Sequence, residues 1–312
     1  MKMRRLGDSG LKVSEVGLGC NNFGMRIGQD EATAVVDAAI DAGVTLFDTA
    51  DIYGGSQSEV MLGKALGARR KDVIVATKFA MTLGDWPPQN RGGSRRWIMQ
   101  AVDDSLRRLG TDYIDLYQMH TPDPDTPIEE TLSALDDLVR AGKVRYLGNS
   151  NFTGWQIADA DWTARSKSLS RFVSAQNNYS LLERGVEAEV LPASERFGLG
   201  ILPFFPLASG LLSGKYHRGE PAPEGSRLAA WGSRGAKSLS DRNFDRVEAL
   251  AAWAAERDHT ILDLAFAWLL GHPAVSSVIA GATRPEQVRG NAATADWVLT
   301  PDEVKAVSEL AA

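Results

Sequence analysis

The sequence lacks several features that would place it in other classes of protein. It has one cysteine, Cys20, so no disulfide can form within the chain, as is typical of a reducing compartment. It has no run of about 18 apolar residues, the length that spans a membrane. Basic residues number 34 against 40 acidic ones, and the formal net charge of −6 argues against nucleic-acid binding. No apolar segment follows the basic start, so we expect a cytoplasmic protein without a signal peptide.

The composition is that of an ordinary globular protein. Apolar residues make up 44% of the 312 and charged residues 24%, which excludes a disordered or fibrous chain. A chain of this length can bury a large core, either as one α/β barrel or as two smaller domains. No linker or change in composition marks a boundary between domains, so we expect one domain over residues 1–312.

Eight short apolar segments alternate with amphipathic helical segments. The candidate strands are Val16–Gly19, Thr45–Asp48, Val73–Lys78, Tyr113–His120, Val144–Asn149, Phe172–Gln176, Leu199–Phe205 and Ser277–Ala280. Most follow one another at about 30 residues, the length of a strand–helix unit. Their continuous apolar character, as in VIVATK, favours a sheet that is covered on both faces.

Two helices between these strands carry clear end signals. Apolar residues recur at helical spacing over Glu31–Ala42, and Gly43 is placed to end that helix. In the second helix, Thr126 is the expected N-cap, Pro127 the first helical residue and Glu129 the capping-box partner.

The alternation of strands and helices predicts a (β/α)8 barrel with extra helices. A doubly wound open sheet is the alternative, but the first candidate strand leads into VGLGCNNFG and not into a G-x-G-x-x-G turn. Two long loops, over Phe79–Gly93 and Tyr216–Ser240, follow strands and are therefore expected at the carboxyl-terminal face, where barrel active sites lie. The second is rich in glycine and proline, and we interpret it as a lid.

Four polar residues fall at the ends of consecutive strands or just beyond them. Asp48, Lys78 and His120 close the second, third and fourth candidate strands, and Tyr53 follows Asp48 by five residues. Each by itself could be a solvated charge or a packing residue, but their joint placement at one face indicates a site. The other histidines, His217, His259 and His272, show no such pattern and are expected in surface loops.

This set of side chains suits the reduction of a carbonyl group. Lys78, paired with Asp48, would favour the phenolate of Tyr53 and lower its pKa, so that Tyr53 could give a proton to a carbonyl oxygen. A neutral His120 could orient the same oxygen. The set has no reductant of its own, so hydride must come from a cofactor. No spacing of cysteines and histidines indicates a metal site.

The sequence resembles the aldo-keto reductases over nearly its whole length. The segment FDTADIYG, Phe47–Gly54, resembles the family's most specific motif, and the segments around Lys78 and His120 match the two that follow it. The resemblance implies a catalytic tetrad of Asp48, Tyr53, Lys78 and His120, with Tyr53 as proton donor. It also implies a barrel that binds NADPH, less often NADH, and a small-molecule carbonyl substrate.

The same resemblance implies which residues contact the cofactor. Ser150, Asn151 and Gln176 match residues that hold the nicotinamide carboxamide, and Phe204 stands where a stacking tyrosine is common. The stretch matched to pyrophosphate binding supplies Pro206, Leu207, Ser209, Gly210, Leu211 and Lys215. The adenosine end is matched by Gly281, Thr283, Arg284, Gln287 and Asn291.

The segment from Thr283 to Glu286 also indicates which nicotinamide cofactor is preferred. It has the pattern of a helix start, with Thr283 as N-cap and Glu286 as capping-box partner. A helix amino terminus favours a phosphate, and Arg284 adds a cation suited to the 2′-phosphate of NADPH. We therefore predict that NADP(H) is preferred and that NAD(H) is possible.

Two other functions remain open at this stage. Some relatives of the aldo-keto reductases serve as regulatory subunits that sense the nicotinamide state and turn over little. A Schiff-base enzyme with Lys78 as nucleophile is the second alternative, although the pairing with Asp48 argues against it.

Overall fold

The chain opens with a hairpin that closes the amino-terminal end of a barrel. The computed structural model describes residues 1–81 and 90–312. Its first two strands, β1 (Met3–Arg5) and β2 (Lys12–Ser14), pair antiparallel. Leu6 and Val13 are buried against apolar side chains inside the barrel. The sequence analysis missed this hairpin because its strands are three residues long and largely polar.

Eight parallel strands form the central sheet. They are β3 (Val16–Gly19), β4 (Leu46–Asp48), β5 (Ile74–Phe79), β6 (Ile114–Met119), β7 (Val144–Ser150), β8 (Phe172–Gln176), β9 (Gly200–Ile201) and β10 (Val278–Gly281). The strands lie in chain order, and β10 pairs with β3. The prediction of eight strands is confirmed, with ends that differ by a residue or two except at β9.

The strand β9 is much shorter than the predicted Leu199–Phe205, yet the backbone around it closes the sheet. Leu202 N–H donates to the carbonyl of Ala175 on β8 at 2.9 Å. On the other side, Ile201 N–H donates to Ala274 at 2.7 Å, and Ile279 N–H donates to Pro203 at 3.1 Å. The sheet therefore closes into a barrel, and the predicted (β/α)8 architecture is confirmed.

Helices cover the outside of the barrel. In the described part of the chain they are α1 (Gln29–Asp41), α2 (Gln57–Leu66), α3 (Arg95–Leu109), α4 (Ile128–Arg140), α5 (Gly154–Ser166), α6 (Val190–Phe197), α7 (Arg227–Ala230), α8 (Ser233–Ser238), α9 (Asp241–Ala255), α10 (Ile261–Leu270), α11 (Pro285–Ala293) and α12 (Pro301–Leu310). Helices α7, α8, α9 and α12 are additions to the strand–helix alternation. Among the described residues, none of the helices is long and apolar enough to cross a membrane.

The predicted start of α4 is wrong by one residue. Its N-cap is Pro127, and Thr126 lies outside the helix, where its Oγ1 donates to Asp123 Oδ2 at 2.7 Å. Glu129 forms an ion pair with Lys167 at 3.0 Å and makes no capping box. The hydroxyl of Thr126, which was expected to cap the helix, instead binds the carboxylate of Asp123.

Side chains on the strands alternate between two layers. On β5, Ala76 packs inside the barrel, whereas Thr77 hydrogen-bonds Glu59 of α2 on the outside. Lys78 therefore returns to the interior at the carboxyl end of its strand. This period of two carries the polar side chains at the strand ends to the inner mouth of the barrel.

Candidate active site

Lys78 lies at the centre of the polar side chains that end the strands. Its Nζ is 2.7 Å from Asp48 Oδ2, 2.8 Å from the carbonyl oxygen of Thr49 and 3.3 Å from Tyr53 Oη. Its side chain is fully buried. The three acceptors match the three N–H donors of an ammonium group, so Lys78 is fixed in its charged form.

The buried surroundings shift the pKa values of this cluster. Burial lowers the pKa of Lys78, but the charges of Asp48 and Tyr53 and hydrogen bonds to both outweigh it, and the pKa ends above its ordinary value. For Tyr53, burial raises the pKa, and the opposing charge of Lys78 does not cancel that effect. The expectation that Lys78 lowers the pKa of Tyr53 below its usual value is wrong in the net, because desolvation of a buried phenolate is the larger effect.

His120 lies against Tyr53 at the barrel mouth. The two rings meet edge to face with centroids 5.7 Å apart. Burial, followed by the charge of Lys78, holds the pKa of His120 well below 6.5. The imidazole is therefore neutral at physiological pH, in line with the expectation from the sequence.

Asp48 receives two amide donors in addition to Lys78. Its Oδ1 accepts from Gln176 Nε2 at 2.8 Å and from Gln118 Nε2 at 3.2 Å. The sequence analysis placed Gln176 on the cofactor and did not single out Gln118. Gln118 stands two residues before His120 on β6, and the period of two in a strand was the signal that could have found it.

A cavity of about 1150 Å³ extends from this cluster along the carboxyl-terminal face. Tyr53, His120 and one edge of Asp48 line its inner end. Of the residues predicted to contact the cofactor, those that line it are Ser150, Asn151, Gln176, Phe204, Pro206, Leu207, Ser209, Gly210, Lys215, Gly281, Thr283, Arg284, Gln287 and Asn291. The fold thus brings together segments that are more than 100 residues apart.

Leu211 is the exception among the predicted contacts. Its side chain is buried in the core and does not line the cavity. The segment Ala208–Ser213 consists of tight turns with a kink at Ser209 and Gly210; Leu211 and Leu212 are buried, whereas Ser209 and Gly210 line the cavity. A match to a sequence motif includes the buried and the cavity-lining residues of such a turn alike, so it could not show that Leu211 is a core residue.

Backbone strain is concentrated around the cavity. Asn151, Phe205, Ala208 and Ser209 are non-glycine residues with φ between 46° and 60°. Such conformations are uncommon outside glycine, and they cluster at functional sites. At Gly210 φ is 100°, a backbone conformation that residues with a side chain rarely adopt, so glycine is favoured there.

Four cations surround the outer part of the cavity. Arg26, Lys215, Arg227 and Arg284 all line it. Burial, followed by the charges of these three arginines, lowers the pKa of Lys215. Arg26 and Arg227 were not predicted from the sequence, because Arg26 lies in the segment before α1 and Arg227 begins α7, and only the fold brings both to the cavity.

The predicted lid, Tyr216–Ser240, lies over this cationic part. Pro223 to Arg227 line the cavity, and helices α7 and α8 belong to the same segment. Arg26 Nη2 donates to the carbonyl oxygen of Gly225, and Arg227 Nη2 donates to Asn22 Oδ1 at 3.4 Å. Of the other long loop, residues 82–89 lie outside the described part, and Met81 lines the cavity.

The amino terminus of α11 lies at the far end of the cavity, with a different cap from the predicted one. The N-cap is Arg284, and Gln287 Oε1 accepts from the backbone and hydroxyl of Thr283 at 2.8 and 3.1 Å. Glu286 instead lies 3.8 Å from Arg289. The predicted capping box of Thr283 and Glu286 is wrong by one residue, since Gln287 occupies the third helical position.

His272 also departs from its predicted place at the surface. Its ring stacks on Tyr179 and meets Trp268 edge to face, with centroids 5.7 and 4.7 Å apart. Burial lowers its pKa. The cause is tertiary, since α10 ends against the turn after β8.

Comparisons with known proteins show the family of this chain. The profile of the Aldo/keto reductase family matches residues 15–312, and the chain belongs to that family. Family membership supports an oxidoreductase that acts in carbonyl reduction, with a nicotinamide cofactor as the family's usual reductant.

Several named relatives match almost the whole chain. A probable voltage-gated potassium channel subunit beta of Oryza sativa subsp. japonica is 38% identical, over 97% of this chain and 94% of its own. The uncharacterized oxidoreductase YrpG of Bacillus subtilis is 37% identical, over 93% and 89%. The L-glyceraldehyde 3-phosphate reductase of Escherichia coli is 35% identical, over 93% and 86%.

Proposed function

We propose that this protein reduces an aldehyde or ketone to the alcohol with NADPH, and that Tyr53 donates the proton. The observation that carries the proposal is the Tyr53 hydroxyl, which lines the inner end of the cavity 3.3 Å from the buried ammonium group of Lys78. No other acidic proton in this cluster combines access to the cavity with a neighbouring cation.

Each residue of the site has a separate role in proton transfer. Because its pKa is raised, Tyr53 keeps its proton at neutral pH and is ready to donate it. A carbonyl oxygen held between Tyr53 and neutral His120 accepts hydrogen bonds that strengthen as charge develops on it. The ammonium group of Lys78 then stabilises the phenolate that Tyr53 becomes, and Asp48 holds Lys78 in place.

The outer cavity fits a dinucleotide with several phosphates. Reduced nicotinamide, when bound, supplies the hydride that these side chains lack. Arg26, Lys215 and Arg227 would hold the pyrophosphate, and the like charges that now lower the pKa of Lys215 would be balanced by it. Arg284 caps α11 and would hold the 2′-phosphate, which favours NADPH over NADH.

The Schiff-base alternative is disfavoured by the geometry. An amine attacks a carbonyl only when it is unprotonated, whereas Lys78 has a raised pKa and three acceptors around its ammonium group. Lys78 also does not line the cavity, so a substrate in the cavity would meet Tyr53 first.

A regulatory nicotinamide-binding subunit is the second candidate function. It rests on the relative of Oryza sativa that is named as a probable potassium channel subunit. A protein with this function would bind the cofactor tightly at the same site and would reduce substrates slowly.

Cofactor oxidation with a panel of aldehydes, ketones, dicarbonyls and sugars tests the proposal. We expect turnover with NADPH that Tyr53→Phe lowers by about 10²–10⁴-fold, the contribution of a general acid. Cofactor binding, followed by fluorescence quenching, should be unchanged in the variant. Near-normal kcat in Tyr53→Phe would refute the role of Tyr53, and tight NADPH binding without oxidation across the panel would favour the regulatory function.

A further inference from the structure

We propose that Gln118 is a positioning residue that fixes the carboxylate of Asp48 and thereby directs the charge of Lys78 to Tyr53. This inference rests on the proposed function, since it concerns how Tyr53 gives up its proton.

The carboxylate of Asp48 is held from two sides by three strands. Lys78 of β5 binds Oδ2 at 2.7 Å, while Gln118 of β6 and Gln176 of β8 bind Oδ1 at 3.2 and 2.8 Å. Gln176 Nε2 also lies 3.4 Å from Gln118 Oε1, so the two amides orient each other. All four side chains are buried, and rotation of the carboxylate would break at least two of these bonds.

The two amides differ in what else they can touch. Gln176 lines the cavity and is accessible to a bound cofactor, whereas Gln118 does not line it. The room for Gln118 comes from Gly148 on β7, where a Cβ atom would lie 3.0 Å from Gln118 Cγ. Gln118 therefore acts on the site only through Asp48 and Gln176.

The electrostatic consequence follows from the opposing influences on Tyr53. The charge of Lys78 lowers the pKa of Tyr53, and the charge of Asp48 raises it. Amide donors on Oδ1 stabilise the negative charge of Asp48 and reduce its effect on its surroundings. Without Gln118 the negative charge is less compensated, so Tyr53 becomes a weaker acid and donates its proton less readily.

Several other groups near Tyr53 stay the same when Gln118 is replaced. Lys78, Asp48 and Asp51 act on the pKa of Tyr53 directly. The other titratable and charged groups that interact with Tyr53 or with these three residues are His120, Cys20, Arg227, Glu59 and Arg108. Within the described part of the chain, Asp48 is the one group of this set that is hydrogen-bonded to Gln118. A change confined to Gln118 therefore reports on the Asp48 carboxylate.

The test compares Gln118→Met, which keeps the length of the side chain and removes its donor, with the control Ser174→Ala. Ser174 of β8 and Gln118 of β6 are both opposite Gly148 of β7 in the strand register, and the buried hydroxyl of Ser174 has no hydrogen-bond partner among the described residues. For Gln118→Met we expect kcat to fall about tenfold, with KM and the Kd of NADPH within about twofold of wild type. The high-pH limb of the rate profile should move to higher pH, and Ser174→Ala should show neither change.

A second variant and a second readout make the result independent of folding and of turnover. Gln118→Glu places a carboxyl group beside Asp48, so its activity should fall as pH rises and that group ionises. The ultraviolet absorbance of tyrosinate, taken as the difference from Tyr53→Phe, reports the titration of Tyr53 without any substrate. It should move to higher pH in Gln118→Met.

The outcomes separate this inference from the proposed function. An unchanged kcat and an unchanged Tyr53 titration in folded Gln118→Met, or a Gln118→Glu profile like that of wild type, would overturn the role of Gln118. The opposite result is also possible: none of the carbonyl compounds supports NADPH oxidation by the wild-type protein, yet the Tyr53 titration still moves in Gln118→Met. That result would support the role of Gln118 and refute the proposed function.

Discussion

Replacing Lys78 with methionine removes the cation on which both the fold and the chemistry of the site depend. At 3.3 Å from Tyr53 Oη, a unit charge stabilises the phenolate by about 5 kcal/mol if the effective dielectric constant is about 20. This corresponds to a loss in kcat of about 10³–10⁴-fold. The same change leaves Asp48 as a buried carboxylate without its cation, a defect of about 3–5 kcal/mol in stability. The amide donors of Gln118 and Gln176 remain, so we expect the lower end of that range.

Two measurements separate these effects. The free energy of unfolding, from denaturant titration, is compared for wild type, Lys78→Met and the double variant Asp48→Asn/Lys78→Met. The double variant removes both charges and should recover most of the lost stability, whereas its carbonyl reduction should stay as low as that of Lys78→Met. Turnover is measured at several pH values, and the high-pH limb should move to higher pH in the variant that retains Asp48.

Either of two results would contradict these expectations for Lys78. If Lys78→Met keeps its rate and its pH profile, the charge of Lys78 does not control Tyr53. If the double variant is less stable than Lys78→Met, the loss comes from packing of the lysine side chain and not from an unpaired carboxylate.

Three further predictions concern the cofactor, the lid and a buried histidine. Arg284→Ala should weaken NADPH binding by about 1.5–3 kcal/mol and barely affect NADH; an equal loss for both in titration calorimetry would show that the 2′-phosphate is bound elsewhere. Limited proteolysis should cut within Tyr216–Ser240, and NADPH should slow the cleavage. Arg26→Ala removes the hydrogen bond to Gly225 and should speed the cleavage of the cofactor-free protein. Equal cleavage with and without NADPH would refute a lid. Because burial lowers the pKa of His272, the unfolded state binds its proton more readily, and stability should fall as pH drops below about 6.5, by at most about 1.4 kcal/mol per pH unit. His272→Phe should reduce that slope in denaturant titrations, and an unchanged slope would assign it to other groups.

Local patterns were sufficient to predict most of the fold. The period of about 30 residues and the apolar segments predicted eight strands, because each strand buries both faces and must be apolar throughout. The strand β9 and the hairpin of β1 and β2 were the misses. The backbone around β9 pairs with a distant segment, as between Ile201 and Val275, so the composition of the segment does not set its length. The two strands of the hairpin pair with each other, and Leu6 and Val13 hold them in place by packing inside the barrel. Helix starts were predicted to within one or two residues: α1 begins at Gln29 and not at the predicted Glu31, and at α4 the competing carboxylate of Asp123 takes the hydroxyl of Thr126 that was the expected cap.

The order of residues along the strands specifies which chemical groups meet at the barrel mouth. Asp48, Lys78 and His120 end consecutive parallel strands, and parallel strands place their carboxyl ends on one face. Tertiary structure alone decided how those groups behave. The pKa of Tyr53, the amide donors on Asp48 and the placement of Arg26 and Arg227 beside the cavity all depend on burial and on distances between remote segments. Desolvation and charge act through space, so only the folded chain sets their balance.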